Sequence, residues 1–194
     1  MSQQIRKYTD RELMEMAIKQ AASSKAENDK RIHPSVGAVI ARDGHLLATG
    51  YRGEAYEGAH AEESALKKLK PDEAVGATVY STLESCTTRE KTACSLLLIK
   101  RGIRRLVYGM LDPNPDIRGQ GEWLLEDRGI EINKFHPDLV HTIKAQNADF
   151  IDYMLGLGLT IIFPKENETI DFSPFAVHGV YRVHPRPGNH KEVL

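Results

Sequence analysis

The chain has 194 residues, in which 26 lysines and arginines balance 27 aspartates and glutamates to a net charge of −1. This length suffices for one domain with a sizeable core and an appendage. The balanced charge argues against a nucleic-acid binder that relies on a basic face, so we do not expect nucleic acid as a partner. We expect no signal peptide and no membrane span, because no stretch has the necessary apolar run. The chain has two cysteines, a usage that suits a reducing compartment, so we expect a cytoplasmic protein.

The first forty residues predict a helix and a buried strand. Thr9 and Glu12 have the spacing of a capping box, which marks the start of a helix. Apolar residues then recur at helical spacing, so we expect the helix to run from Asp10 to about Lys25. Residues 36–41 are almost continuously apolar, which is typical of a strand buried on both faces.

Strands and helices then alternate as far as residue 134. Asp43-Gly44 predicts a two-residue hairpin turn into a partner strand. The predicted elements are a strand at 45–50, a helix after His60, a strand at 77–83, a helix at 93–101, a strand at 104–110, a helix at 121–128 and a strand at 130–133. Such alternation predicts a layered α/β domain with five strands and helices on both faces of the sheet.

The character of the sequence changes at Phe135. We therefore predict a domain over residues 1–134 and a C-terminal extension over 135–194. In the extension, apolar residues at helical spacing predict one helix from Asp138 to Leu155, followed by a short strand and a tail rich in proline, histidine and arginine. We expect the extension to pack on the core or on a neighbouring subunit.

Candidate metal ligands concentrate between His60 and Cys94. His60, Cys86 and Cys94 offer one imidazole and two thiolates, which suit a tetrahedral Zn²⁺ whose fourth position stays open for water. Glu62 follows the histidine by two residues and is placed to carry protons rather than to bind metal. A histidine and two cysteines that bind zinc, with a glutamate that is not a ligand, form the catalytic site of the zinc deaminases.

Other interpretations of these residues remain open. The two cysteines could be small buried hydrophobic residues without a metal. A closed structural zinc site would need a fourth protein ligand, which His33, His45 or His136 could supply. Glu62 could simply cap the start of its helix.

Longer motifs around this stretch carry a family resemblance. In chain order they are Thr82-Leu83-Glu84-Ser85-Cys86, Lys91-Thr92-Ala93-Cys94, Gly109-Met110-Leu111-Asp112-Pro113-Asn114-Pro115 and Gly119-Gln120-Gly121. The sequence resembles the riboflavin-biosynthesis pyrimidine deaminase domain, the diaminohydroxyphosphoribosylaminopyrimidine deaminase of the cytidine deaminase-like superfamily. The resemblance runs from about Arg11 to about Met154, and that family shares the long gap between the cysteines.

The resemblance implies both a fold and a function. The fold would be the three-layer α/β/α sandwich of the superfamily. The function would be zinc-dependent hydrolytic deamination of an amino-substituted pyrimidine or related heterocycle, a ribonucleotide in riboflavin biosynthesis, with release of ammonia. It also implies a homodimer or tetramer. About sixty residues follow His136, too few for the reductase domain that often follows this deaminase, so we expect a deaminase without that partner.

Three residues match positions that contact substrate in the riboflavin deaminases. Lys91 could pair with an anion, and Asp112 and Asn114 could hydrogen-bond sugar or pyrimidine groups. The alternative is a solvated loop lysine and two turn-forming residues beside prolines.

The chain departs from the family at three further pocket positions. It has His33 where the family usually has asparagine, and Arg52 and Thr88 where the family usually has histidine. His33 and Arg52 are therefore candidate substrate-binding residues, and the replacements leave the identity of the substrate open.

Two alternatives to this function remain. One is deamination of a free base, a nucleoside or a base in tRNA or DNA. The other is a catalytically silent deaminase fold that serves as a binding or assembly module. The intact His-x-Glu motif and both cysteines argue against the silent fold.

Overall fold

A computed structural model describes residues 6–88 and 92–156. Within them the elements are α1 (Asp10–Ala21), β1 (Gly37–Arg42), β2 (His45–Tyr51), α2 (Ala61–Leu66), a 3₁₀ turn (Pro71–Ala74), β3 (Thr78–Leu83), α3 (Cys94–Lys100), β4 (Arg105–Met110), α4 (Gln120–Asp127), β5 (Glu131–Lys134), α5 (Pro137–Gln146) and α6 (Ala148–Gly156). This order confirms the predicted alternation. None of these helices has the length and apolar composition needed to cross a bilayer.

Local sequence signals account for the first elements. The capping box forms as predicted: the Thr9 N–H donates to Glu12 Oε2 at 2.8 Å, and the Glu12 N–H donates to Thr9 Oγ1 at 3.2 Å. Asp43 and Gly44 both have positive φ angles, 53° and 80°. Two consecutive residues with positive φ form the tight turn whose twist matches a hairpin, so β1 leads directly into β2.

Helix α1 is shorter than predicted, because it ends at Ala21 rather than near Lys25. Ser24 instead binds the backbone before β1: the Val36 N–H donates to Ser24 Oγ at 2.9 Å, and the hydroxyl donates to the Val36 carbonyl at 3.1 Å. The Lys25 N–H donates to the Arg52 carbonyl at 3.0 Å. These bonds direct the chain away from the helix axis.

The five strands form one mixed sheet in the order β2-β1-β3-β4-β5. Strand β1 is antiparallel to both of its neighbours, whereas β3, β4 and β5 run parallel to one another. One edge of the sheet therefore collects the carboxyl ends of β2, β3 and β4 together with the start of β1.

Two glycines show that helices cover both faces of this sheet. Gly37 lies opposite Tyr51 and Gly50 lies opposite Ala38, so the two glycines face opposite sides of the β1–β2 pair. A Cβ at Gly37 would lie 2.1 Å from the Ala17 carbonyl oxygen of α1. A Cβ at Gly50 would lie 2.5 Å from the Ala61 carbonyl oxygen of α2. The predicted three-layer α/β/α fold is confirmed.

The remaining helices divide between the same two faces. Successive residues of β4 point to opposite sides, and Gly109 packs against Ile143 of α5. Tyr108 points the other way, and its hydroxyl donates to Glu122 Oε2 of α4 at 2.6 Å. Helices α1 and α5 also contact each other, as do α2 with α3 and α3 with α4. The core between the layers contains Val39, Ile40, Val79, Leu98, Leu106, Val107, Leu125 and Ile143, all at most 1 % exposed.

The single helix predicted from Asp138 to Leu155 is wrong, because two helices meet at Asn147. Asn147 directly follows the last residue of α5 and has non-helical backbone angles, with φ −117°. Its side chain binds backbone groups of Ser35, which fixes the break between the two helices. Leu155, predicted as an apolar face position, is 61 % exposed. The predicted strand and tail lie outside the described residues, and the division at residue 134 stays a prediction.

The close approach at Gly50 leads to a stability prediction. We expect Gly50→Ala to lower the free energy of unfolding by about 1–3 kcal/mol, because the added methyl group forces α2 away from the sheet. Denaturant unfolding measures the change. Gly156→Ala is the control, since a Cβ there meets nothing within 4 Å. Equal midpoints for the two variants would show that this contact does not hold α2.

Candidate active site

The candidate site lies at the sheet edge where four chain segments meet. His33 precedes β1 and Arg52 follows β2, while Cys86 and Asp112 follow β3 and β4. Because β1 runs antiparallel to its neighbours, its amino end lies beside the carboxyl ends of the other strands. Ligands of open α/β sheets bind at this kind of edge.

His60, Cys86 and Cys94 form one cluster of possible metal ligands. His60 Nδ1 lies 3.5 Å from Cys86 Sγ and 3.4 Å from Cys94 Sγ, and the three ligand atoms all lie within 4.8 Å of one another. Over residues 6–88 and 92–156, His33 belongs to a different group, and His45 and His136 belong to neither. The cluster therefore offers three ligands, the number expected of a catalytic zinc site.

The surroundings of the cysteines favour thiolate. Cys94 is the first residue of α3, and its N–H donates to Cys86 Sγ at 3.4 Å. The hydrogen bond from the Cys94 thiol, followed by the interactions with His60, outweighs burial and lowers the pKa of Cys86 to about 4. Thiolate is the form of cysteine that binds metal, so this donor set fits Zn²⁺.

Glu62 lies beside the cluster without belonging to it. It occupies the first turn of α2, is 3 % exposed, and accepts a hydrogen bond from Ser85 Oγ at 2.9 Å. Burial, and to a lesser degree the charge of Cys86, raises the pKa of Glu62. A carboxyl group with a raised pKa exchanges protons closer to neutral pH, which suits a general acid–base.

A cavity of about 610 Å³ connects the cluster to most of the predicted substrate residues. Its lining includes His60, Glu62 and Cys86, together with His33, Arg52, Thr88, Asp112 and Asn114. Lys91 lies outside the described residues. The structure thus brings together four of the five predicted substrate-binding residues, and their roles stay predictions.

His33 and Arg52 belong to a charged network that the sequence did not reveal. Arg52 Nη2 lies 3.0 Å from His33 Nδ1 and also donates to Glu27 Oε1. His33 Nε2 lies 2.8 Å from Asp29 Oδ1. Arg52 is 8 % exposed, so its charge is balanced inside the wall of the cavity. Glu27 and Asp29 stand in a polar loop, where no spacing distinguishes them from solvated residues.

Glu84 organises the loop after β4 from inside the protein. The side chain is 3 % exposed, and its Oε2 accepts the N–H groups of Asp112 at 3.2 Å and Gly119 at 3.0 Å. Its Oε1 accepts those of Gly121 at 2.9 Å and Glu122 at 3.4 Å. Sequence reasoning assigned Glu84 no role. Its position directly after a buried strand was the available signal, because a charged group there needs partners.

Asp112 and Asn114 shape the loop that Glu84 holds. Asp112 Oδ1 accepts the Asn114 N–H at 2.9 Å, and Asn114 Oδ1 accepts the Asp116 N–H at 3.0 Å. Burial, and to a lesser degree the charges of Glu84 and Cys86, raises the pKa of Asp112 to about 6. Both residues therefore form turns, as the alternative interpretation required, and both also line the cavity.

Helix α6 supplies a further part of the cavity wall. Phe150, Tyr153 and Met154 line it, at positions i, i+3 and i+4 of one helix face. No motif in the sequence assigns these residues to the site. Their helical spacing was visible, but it is also the spacing of ordinary core residues.

Comparison with known proteins agrees with this geometry. Residues 7–110 match the model of the cytidine and deoxycytidylate deaminase zinc-binding region. The chain is 37 % identical over 123 residues to the riboflavin biosynthesis protein RibD of Escherichia coli, a match that covers 63 % of this chain and 32 % of that protein. This chain thus matches about a third of the length of that relative.

A shorter relative is matched over most of its length, and a solved structure shares the fold. The diaminohydroxyphosphoribosylamino-pyrimidine deaminase of Buchnera aphidicola is 36 % identical over 124 residues, which cover 63 % of this chain and 82 % of that protein. The diaminohydroxyphosphoribosylaminopyrimidine deaminase/5-amino-6-(5-phosphoribosylamino)uracil reductase of Thermotoga maritima is 33 % identical, with a TM-score of 0.65 over 76 % of this chain and 41 % of that chain. The chain belongs to the cytidine and deoxycytidylate deaminase family.

Proposed function

We propose that this protein is a zinc-dependent deaminase of an amino-substituted pyrimidine or related heterocycle, a ribonucleotide of the kind used in riboflavin biosynthesis. One observation carries the proposal: His60 and Cys86 of the His60–Cys86–Cys94 cluster line a cavity of about 610 Å³ together with the buried Glu62. That volume lies within the usual range for small-molecule sites. Hydrolysis would replace the amino group of the ring by oxygen and release ammonia.

His60, Cys86 and Cys94 would hold the zinc ion. Bound there, zinc would supply the activation of the attacking water molecule. The pairing of Cys86 with the N–H and thiol of Cys94 keeps the ligands together and supports the thiolate form. The three-ligand count supports a catalytic rather than a structural role.

Glu62 would carry the protons of the reaction. Its carboxylate would take a proton from the attacking water as the ring carbon is attacked. It would deliver that proton to the ring nitrogen, and would then take the remaining proton of the added hydroxyl group and pass it to the amine, which leaves as ammonia while the carbon–oxygen double bond forms. The hydrogen bond from Ser85 fixes the carboxylate, and burial raises its pKa, both of which support proton exchange near neutral pH.

The substrate would contact residues from several loops. We assign substrate binding to His33, Arg52, Lys91, Asp112 and Asn114. The diaminohydroxyphosphoribosylamino-pyrimidine deaminase named above supports a ribonucleotide. The homodimeric or tetrameric state and the cytoplasmic location also stay predictions.

A second candidate function is deamination of a free base or nucleoside. Arg52 and His33 are already paired with Glu27 and Asp29, so this network has little net positive charge to offer a phosphate. That observation favours a substrate without a phosphate group. Kinetics with matched nucleotides, nucleosides and bases decide between the two candidates.

The first prediction of the proposal concerns zinc. We expect about one zinc per wild-type chain, and we expect Cys94→Ala to lose the metal and unfold at a lower temperature, because metal binding stabilises the folded state. Elemental analysis and thermal unfolding measure both effects. His45→Ala is the control and should keep its zinc, since His45 lies outside the cluster. Freshly purified wild type without zinc would refute the metal site.

The second prediction concerns Glu62. We expect Glu62→Ala to keep its zinc and its fold while turnover falls by about 10²- to 10⁴-fold, the usual contribution of a general acid–base. Ammonia release from a panel of aminopyrimidine nucleotides, nucleosides and bases measures this. Glu126→Ala, at an exposed glutamate of α4, is the control, and its turnover should stay close to wild type. Activity of Glu62→Ala within threefold of wild type would remove Glu62 from the mechanism.

The third prediction concerns Glu84 as the residue that positions the Asp112–Asn114 loop. In Glu84→Gln the amide group would face backbone N–H donors, so at least one buried N–H loses its acceptor. We expect a loss of about 1–3 kcal/mol in the free energy of unfolding and a higher KM. The exposed Glu126 on α4 provides the control, Glu126→Gln. Identical unfolding and KM values for both variants would contradict this role.

A further inference from the structure

Helix α6 gives the cavity an aromatic and apolar wall. Three aromatic residues line the cavity within the described part of the chain, and two of them, Phe150 and Tyr153, lie on α6 beside Met154. Loops elsewhere in the lining contribute charged and polar groups, among them His33, Arg52 and Asp112. A flat heterocycle bound in this cavity could place its apolar face against α6 and direct the polar groups at its edge towards the loops.

The two sides of α6 differ in character. Phe150 is 8 % exposed, and Tyr153 and Met154 are partly buried where they line the cavity. Leu155 is 61 % exposed, and Asp149 and Asp152 are also exposed. The helix therefore presents one face to the cavity and the other to solvent, which makes residues of the solvent face suitable controls.

Asn147 links the start of this helix to a second segment of the cavity lining. Asn147 Oδ1 accepts the Ser35 N–H at 2.8 Å, and Nδ2 donates to the carbonyl oxygens of Ser35 at 3.2 Å and Ile143 at 3.0 Å. Ser35 directly follows the cavity residues His33 and Pro34. Asn147 is 3 % exposed, so water does not compete strongly for these bonds.

We propose that α6 is the substrate-selective wall of the active site, on which Tyr153 and Phe150 stack against the heterocycle, and that Asn147 is the positioning residue that holds this wall against the His33–Ser35 segment. The inference rests on the proposed deaminase function and adds a binding role for residues outside the metal cluster. Aromatic stacking tolerates different rings, because every base has a π face. The wall therefore selects planar heterocycles, whereas the loops distinguish their polar groups.

The wall is tested with Tyr153→Ala and Leu155→Ala. Binding of each panel heterocycle is measured by calorimetry in the Glu62→Ala background, where turnover does not interfere, and kinetics are measured with Glu62 intact. We expect Tyr153→Ala to raise Kd and KM about five- to a hundredfold, the usual effect of removing a base-stacking aromatic residue. Zinc content should be unchanged, and Leu155→Ala should match its parent in both measurements.

The positioning role is tested with Asn147→Asp, which keeps the acceptor for the Ser35 N–H but loses both donated hydrogen bonds. We expect KM to rise as in Tyr153→Ala while kcat and zinc content stay near wild type, because the reacting groups lie on other elements. A purely structural role would instead lower the unfolding temperature without this selective rise in KM. That outcome would refute Asn147 as a positioning residue.

The outcomes distinguish failure of the proposed role of α6 from failure of the proposed deaminase function. If wild type releases ammonia but Tyr153→Ala has the same Kd and KM as Leu155→Ala, the proposed role of α6 is wrong and the proposed deaminase function is retained. If wild type releases no ammonia but the Glu62→Ala protein binds a heterocycle through Tyr153, the wall stands and the deaminase proposal is wrong. Failure of the Glu62→Ala protein to bind any heterocycle of the panel contradicts the wall as well.

Discussion

The whole site depends on the direction of β1. Because β1 runs antiparallel to β2 and β3, its amino end lies at the same sheet edge as the carboxyl ends of β2, β3 and β4. His33, Arg52, Cys86 and Asp112 follow or precede these strand ends and so meet around one cavity. The hairpin at Asp43-Gly44 makes this arrangement possible, since the two-residue turn reverses the chain between the first two strands.

Buried charges give this edge its rigidity. Glu84 is surrounded by four backbone N–H groups, and Arg52 is paired with Glu27 and His33. Burying a charge is costly unless partners compensate it, so Glu84 fixes the backbone segments whose N–H groups it accepts, and Arg52 is held by its side-chain partners. The loops around the cavity are thereby held in shape by the protein itself. Such pre-organisation limits the reorganisation required when substrate binds.

The part of the chain beyond residue 134 contributes to the site as well as to the core. Ile143 of α5 packs on Gly109 of β4, which anchors the helix pair to the sheet. Asn147 then turns the chain so that α6 reaches the cavity. A segment that composition alone separates from the catalytic domain thus supplies one of its walls.

The sequence predicts most of the elements, the fold class and the candidate ligands with Glu62, because capping boxes, hairpin turns, apolar periodicity and short motifs are local signals. It could not show that His33 and Arg52 pair with Glu27 and Asp29, or that Glu84 holds the loop after β4. Nor could it show the break at Asn147, which binds Ser35 across 112 residues of sequence. These contacts become visible in the folded protein, because a buried polar side chain binds the partners that folding brings within hydrogen-bonding distance.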